Sequence, residues 1–340
     1  LMNRRILLAC PYPLDSPRGN SVSANRIIGI LEGLGHTVIP ISGRTSSEGS
    51  GDLLIALHAR KSATAIESFH AKHPQRPVII LLTGSDLYAD LEGPPENRAT
   101  VKQTLALATR LVVAQGASIA DIPETFRDKA RVVPKSLLTK VPTRMKNRSP
   151  GLLNVVLSSH LRPAKAPLLV LESLALLPKS IAVQVDHYGH AEDPDLGRYA
   201  LNASKIPRSK YSWHGNKPHK EMLATFAQAD LLLNTSQVEG GANTLCEAIQ
   251  MGLPCLATSI PANAGMLGED YPGLFPMDDA QALAMLIERS TSDADFHDQL
   301  TLKVEMRAPF FTRQAEVEAW QKVIEEVMGE NANNSGCVVV

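Results

Sequence analysis

The 340-residue sequence predicts an α/β protein made of two successive doubly wound domains. Three observations carry this. Short runs rich in Val, Ile and Leu recur without the alternation of a half-exposed strand, as strands buried on both faces of a parallel sheet require. Longer helical patterns separate them, which is the rhythm of repeated βαβ units. The rhythm breaks once, over residues 139–150, where two prolines and several basic residues displace apolar ones, and then restarts.

In the first half, residues 6–10, 37–41, 53–57, 78–82, 111–114 and 131–133 read as strands, and 23–34 and 62–71 as helices. Gly35 suits the cap of the first helix. In the second half, 153–158, 181–185, 231–234 and 255–257 read as strands, and 313–328 as a final amphipathic helix. The predicted domains are 1–145 and 151–307. A closing helix at about 308–330 is expected to pack back on the first domain, and 331–340 to form a flexible tail. The opening run 6–10 is cut by Pro11 and Pro13, too short for the apolar core of a leader. No stretch approaches the length of a spanning helix. Cys337-Val338-Val339-Val340 has the outline of a prenylation box, but terminal Val and the missing polybasic segment favour a frayed end.

Basic residues number 34 and acidic residues 35, for a net charge of −1. That balance opposes broad binding to nucleic acid or to anionic membrane, so neither a nucleic-acid partner nor stable membrane insertion is expected. Cys10, Cys246, Cys255 and Cys337 are scattered without CxxC spacing. Neither a disulfide framework nor a zinc site is expected, and a reducing, cytoplasmic compartment fits.

Ligands of open α/β sheets bind beyond the carboxyl ends of the strands. The most informative such segment follows the strand 231–234. It reads Ser236-Gln237-Val238-Glu239-Gly240-Gly241-Ala242-Asn243-Thr244-Leu245-Cys246-Glu247-Ala248 and closes with Gly252-Leu253-Pro254. Gly240 and Gly241 permit close backbone approach to a ligand, and a helix starting near Asn243 would aim its amides at an anion such as a diphosphate. Ionised Glu239 and Glu247 are acceptor-only groups suited to sugar hydroxyls. A Gly-Gly turn before a helix is common by itself; the two glutamates at this spacing, followed by Gly-x-Pro, are more specific.

These residues resemble the Glu-x7-Glu motif of the family 4 glycosyltransferases, whose GT-B fold has two Rossmann-like domains around a cleft. The resemblance covers nearly the whole chain. It includes the opening strand with Gly19, Gly35-His36-Thr37-Val38, the segment 211–215, and Ala229-Asp230-Leu231. It implies that Glu239 approaches the donor sugar, with a catalytic part, and that Glu247 approaches the ribose. It further implies that amides around Ala242, Asn243, Thr244 and Leu245 hold phosphates and sugar, and that Asn216 after Gly215 contacts the nucleobase. Relatives carry Gly-Arg and then Lys five residues after the Arg. Here Ser158-Ser159-His160-Leu161-Arg162-Pro163-Ala164-Lys165 keeps Lys165, puts His160 in the Arg position and sets Arg162 two residues later. Either could take the place of the missing guanidinium.

Finer texture resembles the selenosugar synthases of selenoneine biosynthesis. The matching stretches are Ala56-Leu57-His58-Ala59-Arg60-Lys61-Ser62-Ala63, Leu82-Thr83-Gly84-Ser85-Asp86-Leu87-Tyr88-Ala89-Asp90-Leu91, and His160-Leu161-Arg162 with Lys165. This implies a UDP-sugar donor, UDP-N-acetylglucosamine, and selenophosphate as nucleophile. Independently, the strand ends of the first domain are rich in positive charge, in Arg18, Arg60, Lys61 and Lys135, which suits a small anionic acceptor. The acceptor residues expected are Arg18, Gly19, Asn20, His58, Arg60, Ser85, Asp86 and Lys135. His58 has three readings: anion binding, catalysis or packing. Asp193-Pro194-Asp195 and Asp293-Ala294-Asp295 look like metal motifs but read as solvated loops, and the resemblance implies neither metal nor other cofactor. Rival functions are a family 4 transferase acting on a sugar or lipid hydroxyl, a nucleotide-sugar epimerase, and a non-catalytic nucleotide-sugar sensor. A dehydrogenase lacks its GxGxxG around Gly19, and a hydrolase lacks a base pattern near Thr235, Cys246 or Ser259.

Overall fold

The computed structural model describes residues 3–16, 18–46, 49–137, 141–144 and 151–335, and the chain forms two compact units. Unit 1 is Leu1–Leu138 with Thr312–Val340, and unit 2 is Thr139–Phe311. The first division thus precedes the residue 145 expected from sequence, and the second follows residue 307. Of the expected linker at 139–150, all but 141–144 lies outside the described residues.

Unit 1 opens with β1 (Arg5–Cys10), α1 (Gly19–Gly33), β2 (Thr37–Ser42), β3 (Leu53–Leu57), α2 (Ala63–Lys72), β4 (Val78–Leu81), α3 (Pro95–Leu107), β5 (Arg110–Val113) and β6 (Ala130–Val132). The strands form one parallel sheet in the order β2-β1-β3-β4-β5-β6. Both faces are covered, which is why the strands read as continuous apolar runs. Ile6, Leu8 and Cys10 enter one core with Ile27 and Ile30 of α1. Leu7 and Ala9 enter the other with Phe69 of α2. α1 starts at Gly19, ahead of the expected 23, because Gly19, Asn20 and Ser21 are weak helix formers that carry no apolar signal.

Unit 2 contains β7 (Leu153–Ser158), α4 (Leu168–Leu176), β8 (Val183–Tyr188), α5 (Pro194–Ser204), β9 (Tyr211–Trp213), α6 (His219–Gln228), β10 (Leu231–Asn234), α7 (Asn243–Met251), β11 (Cys255–Thr258), α8 (Pro261–Leu267), β12 (Leu274–Phe275), α9 (Ala280–Ser292) and α10 (Ala294–Arg307). Its parallel sheet has the order β12-β11-β10-β7-β8-β9. The two metal-like motifs are not solvated loops. Asp193 caps α5, accepting from the amides of Asp195 and Leu196 at 2.9 and 3.2 Å. Asp293 caps α10, accepting from the Phe296 amide at 2.9 Å. Both carboxylates satisfy amides that a helix start otherwise leaves orphaned.

The last helix, α11 (Arg313–Ser335), belongs to unit 1. Trp320, Val323, Ile324 and Val327 recur at helical spacing and join the core that holds Ile6 and Leu8. Glu316 fixes this packing: its carboxylate accepts from Arg26 Nε of α1 at 3.0 Å and from the Ser136 amide at 2.7 Å, all of it buried. α11 continues past the expected 328, into the predicted tail, because a formed helix propagates through residues that carry no apolar pattern. Residues 336–340, with Cys337 and the prenylation-like ending, lie outside those described. Among the described residues no helix is long and apolar enough to cross a membrane.

Candidate functional site

In unit 2, β7 and β10 are neighbours although β8 follows β7 in sequence, so the strand order reverses between them. Loops leaving such a pair diverge and open a crevice at the carboxyl ends. Both loops carry residues expected on the donor side. The β7 loop makes a tight turn over Pro163–Lys165, and the β10 loop is tied onto it. The Thr235 hydroxyl donates to the Lys165 carbonyl at 2.7 Å, and the Gln237 amide to the Ala164 carbonyl at 3.0 Å. This brings Lys165 Nζ into an ion pair with Glu239, whose Oε1 also accepts from the Ser236 hydroxyl at 2.8 Å.

α7 begins directly after Gly240, Gly241 and Ala242. No side chain caps it, and its first turn holds no acid. The positive end of its dipole therefore lies at the loop that carries Glu239. Leu245 is buried in the core, while Asn243 and Thr244 are half-buried at the helix start. Glu247, on the second turn, is buried and accepts from His219 Nε2 of α6 at 2.8 Å. That hydrogen bond raises the His219 pKa above its usual 6.5, against the opposing effect of burial. The helix stops at Gly252, which takes a left-handed conformation.

The remaining basic groups of the β7 loop are held differently. His160 Nδ1 accepts from the His190 amide at 3.2 Å, and burial lowers its pKa. Arg162 leans on Glu192, Nη1 to Oε2 being 3.9 Å, both half-exposed. The loop backbone is clamped from behind. His187, fully buried, has Nε2 2.9 Å from the Ser159 carbonyl and Nδ1 2.6 Å from the Tyr211 hydroxyl. A Cβ at Gly189 would sit 1.9 Å from the Ser159 carbonyl oxygen, so only glycine admits this approach. The Gly189 amide in turn donates to the Gly215 carbonyl at 2.8 Å, which fixes the turn preceding exposed Asn216.

In unit 1 the strand order reverses between β1 and β3. His58 follows β3 in a left-handed conformation, φ 71°, with its ring fully buried. Nδ1 accepts from the Lys61 amide at 3.3 Å, which leaves the proton on Nε2 to donate to the Ser85 hydroxyl at 2.9 Å. Burial, partly offset by Asp86, lowers its pKa. Both ring nitrogens are thus engaged within the protein. Asp86 is also fully buried and spends its carboxylate on the amides of Ala59, Thr83 and Gly84 at 3.1, 2.9 and 2.9 Å. It braces two loops.

Arg60 pairs with Asp90 at 2.9 Å. Lys135 is half-buried after β6. Arg18, the cap residue of α1, joins a different set, which the sequence reading did not assemble: its Cζ lies 4.6 Å from the centre of the Tyr12 ring, with Arg44 Cζ at 5.3 Å and Lys61 Nζ at 5.7 Å. Gly19 and Asn20 form the adjoining first turn, where a Cβ on Gly19 would meet open space. The contacts of Ser236, which opens the motif segment but was given no role, and of His219 were also unforeseen. No spacing rule links 219 to 247, but proximity of Arg44 and Lys61 to strand ends was a usable signal.

Residues 144–304 match the family model Glycosyl transferases group 1. The matched segment lies within unit 2. Beyond that segment, the chain is similar to Glycosyltransferase 1 domain-containing protein 1 of Xenopus tropicalis, 25% identical over 290 residues that span 79% of this chain and 82% of that protein. Sucrose-phosphate synthase from Thermosynechococcus elongatus superposes with a TM-score of 0.79 at 14% identity, covering 96% of this chain and all of that one (100%). Anabaena HepE, solved with UDP and glucose, gives a TM-score of 0.72 at 16% identity over 96% of this chain and 100% of that chain. The fold is GT-B, and the segment that matches the group 1 model places Lys165, Glu239 and the start of α7 at the strand-order reversal of unit 2.

Proposed function

We propose that the protein is a glycosyltransferase whose group 1 domain holds a UDP-sugar. The observation that carries this is the Lys165–Glu239 pair beside the start of α7. A diphosphate seated there meets helix amides and the Lys165 ammonium, which stabilise the negative charge that grows as UDP departs. Glu239 and Glu247 accept hydrogen bonds from sugar and ribose hydroxyls. Complexes of HepE with UDP and with UDP-glucose support this class of donor. No metal is assigned a part, and chelation is expected to leave turnover unchanged, since Asp193 and Asp293 act as helix caps.

The finer reading takes UDP-N-acetylglucosamine as donor and selenophosphate as acceptor, on the resemblance of residues 56–63, 82–91 and 160–165 to selenosugar synthases. A selenium lone pair would form the new bond to the anomeric carbon as the bond to the UDP oxygen breaks and its electrons leave with UDP. Selenophosphate needs no general base, which agrees with a His58 that is buried and fully engaged. UDP release from UDP-N-acetylglucosamine is the test, with selenophosphate or with neutral sugar hydroxyls. Release with selenophosphate, lost in Glu239→Ala, supports the reading. Release only with a hydroxyl acceptor overturns the acceptor and keeps the transferase. UDP binding without turnover leaves a sensor, and no UDP binding overturns the whole proposal.

A further inference from the structure

Three adjacent strands of unit 1, in the order β2, β1, β3, lead into loops that carry Arg44, Tyr12 and Lys61. Arg18 approaches the same ring from the start of α1. An aromatic face attracts a cation within about 6 Å of its centre, and all three cations lie within that range. One ring cannot neutralise three like charges that repel one another. Among the described residues no carboxylate pairs with Arg18, Arg44 or Lys61. Arg60, next to Lys61 in sequence, shows the contrast: it is matched by Asp90.

The backbone holds this arrangement in place. The Gly43 amide donates to the Cys10 carbonyl at 2.8 Å, which pins the loop bearing Arg44 to the end of β1. A Cβ at Gly43 would lie 2.3 Å from Ser62 Oγ and 3.2 Å from the Pro11 nitrogen. Ser62 is fixed by its own hydroxyl on the Leu57 carbonyl at 2.6 Å, and the Lys61 amide by His58 Nδ1 at 3.3 Å. The cluster also stands where the strand order reverses, and the α1 N-terminus beside it has no side-chain cap and no acid in its first turn.

We propose that Tyr12, Arg18, Arg44 and Lys61 form a seat for a tetrahedral oxyanion of the phosphate class. The two guanidinium groups offer forked donors, Lys61 a point charge, and the Tyr12 hydroxyl a further donor. The anion is either free or the phosphoryl group of a larger molecule. Its identification with the acceptor rests on the transferase reading above; the seat itself does not.

Titration calorimetry of the full chain at constant ionic strength tests the seat, with inorganic phosphate, glycerol phosphate and chloride as probes. Phosphate or glycerol phosphate is expected to bind, and the double variant Arg44→Gln/Lys61→Gln to weaken that binding about tenfold or more. Tighter binding of inorganic phosphate identifies a free anion; tighter binding of glycerol phosphate identifies a phosphoryl group. A readout in the unaltered protein guards against misfolding of the variant. Burial raises the Tyr12 pKa, but Lys61, Arg18 and Arg44, the charged groups facing it, outweigh that and lower it, whereas burial raises those of Tyr88, Tyr188, Tyr211 and Tyr271. An early tyrosinate absorbance step, absent in Tyr12→Phe, should move to higher pH when phosphate binds. The proposal is overturned if phosphate binding survives the double variant, if chloride reproduces it, or if saturating phosphate leaves the early step in place. UDP titrated separately reports on the transferase reading: loss of UDP binding with the phosphate effects intact sinks that reading alone.

Discussion

Replacing Lys165 by Met removes the ammonium and keeps most of the aliphatic stem. Two effects follow, and they can be measured separately. The side chains of Lys165 and Glu239 are 15% and 14% exposed, so the pair is mostly withdrawn from water. Breaking a fully buried pair costs about 3–5 kcal/mol, and an exposed one is worth about 1 kcal/mol or less. Ser236 still donates to the stranded Glu239 carboxylate at 2.8 Å, so an intermediate loss of about 2 kcal/mol is expected in denaturant unfolding. If the ammonium also grips the donor diphosphate, UDP affinity should fall about ten- to hundredfold, the worth of one hydrogen bond to a charged group. A double-mutant cycle with Glu239→Gln isolates the folding term, with an expected coupling of about 1–2 kcal/mol. Calorimetry on the folded variants then reads the ligand term. A UDP Kd that stays within about twofold of the original while the stability loss appears would make Lys165 a brace between two loops, and the diphosphate assignment would fail.

Glu316→Ala should destabilise unit 1 by about 3–5 kcal/mol, because it strands buried Arg26, while Ser136→Ala should cost about 1 kcal/mol; chemical denaturation of the full chain measures both. Gly189→Ala should cost about 3 kcal/mol or more and weaken UDP binding as the Ser159–His160 backbone is displaced; a folded variant with unaltered melting would refute the close approach. His187, held near pKa 4 by burial, should make unit 2 lose about 3 kcal/mol as pH falls from 6.5 toward 4, since the unfolded state binds the proton first. Stability above pH 6.5 is unaffected by this group, and His187→Gln should flatten that acid limb; an unchanged limb would assign the acid sensitivity to carboxylates.

The sheets were legible because their chemistry is local. Residues 53–57, 153–158 and 231–234 coincide with β3, β7 and β10, each an apolar run that no solvent-facing alternation dilutes. β12 was not foreseen: Leu274–Phe275 is a two-residue edge strand, too short to leave a periodic signal. On the donor side, one loop-to-helix segment carried Glu239, the glycines and Glu247 together, so spacing could reveal it. Pairs that form across long sequence separations could not be read that way. Lys165 meets Glu239, and His219 meets Glu247, through the order of strands in space. The surroundings of the residues expected on the acceptor side were hidden for a further reason. His58, Asp86 and Arg60 have residue types that suit chemistry, but burial and local amides decide their use, and neither is visible in composition.

The two strand-order reversals use charge in opposite ways. At β7 and β10 the cation is already answered: Lys165 has Glu239, and Glu239 has Ser236. On the proposed reading, a donor arriving there competes with that pair, so its phosphate contacts replace an existing interaction and add less net affinity than a fresh ion pair would. Selectivity then falls to contacts made beyond that pair, such as those of a diphosphate with the start of α7. At β1 and β3 no acid among the described residues answers the three cations around Tyr12, and on the proposal above their mutual repulsion is relieved when an anion enters. Small anions should therefore draw much of their affinity from the protein's own electrostatic strain. That predicts a steeper fall of affinity with salt for phosphate than for UDP, because the Tyr12 cluster is the more exposed of the two. Parallel titrations of the two ligands across an ionic-strength series decide it, and equal slopes would mean that both sites rest on contacts of the same kind.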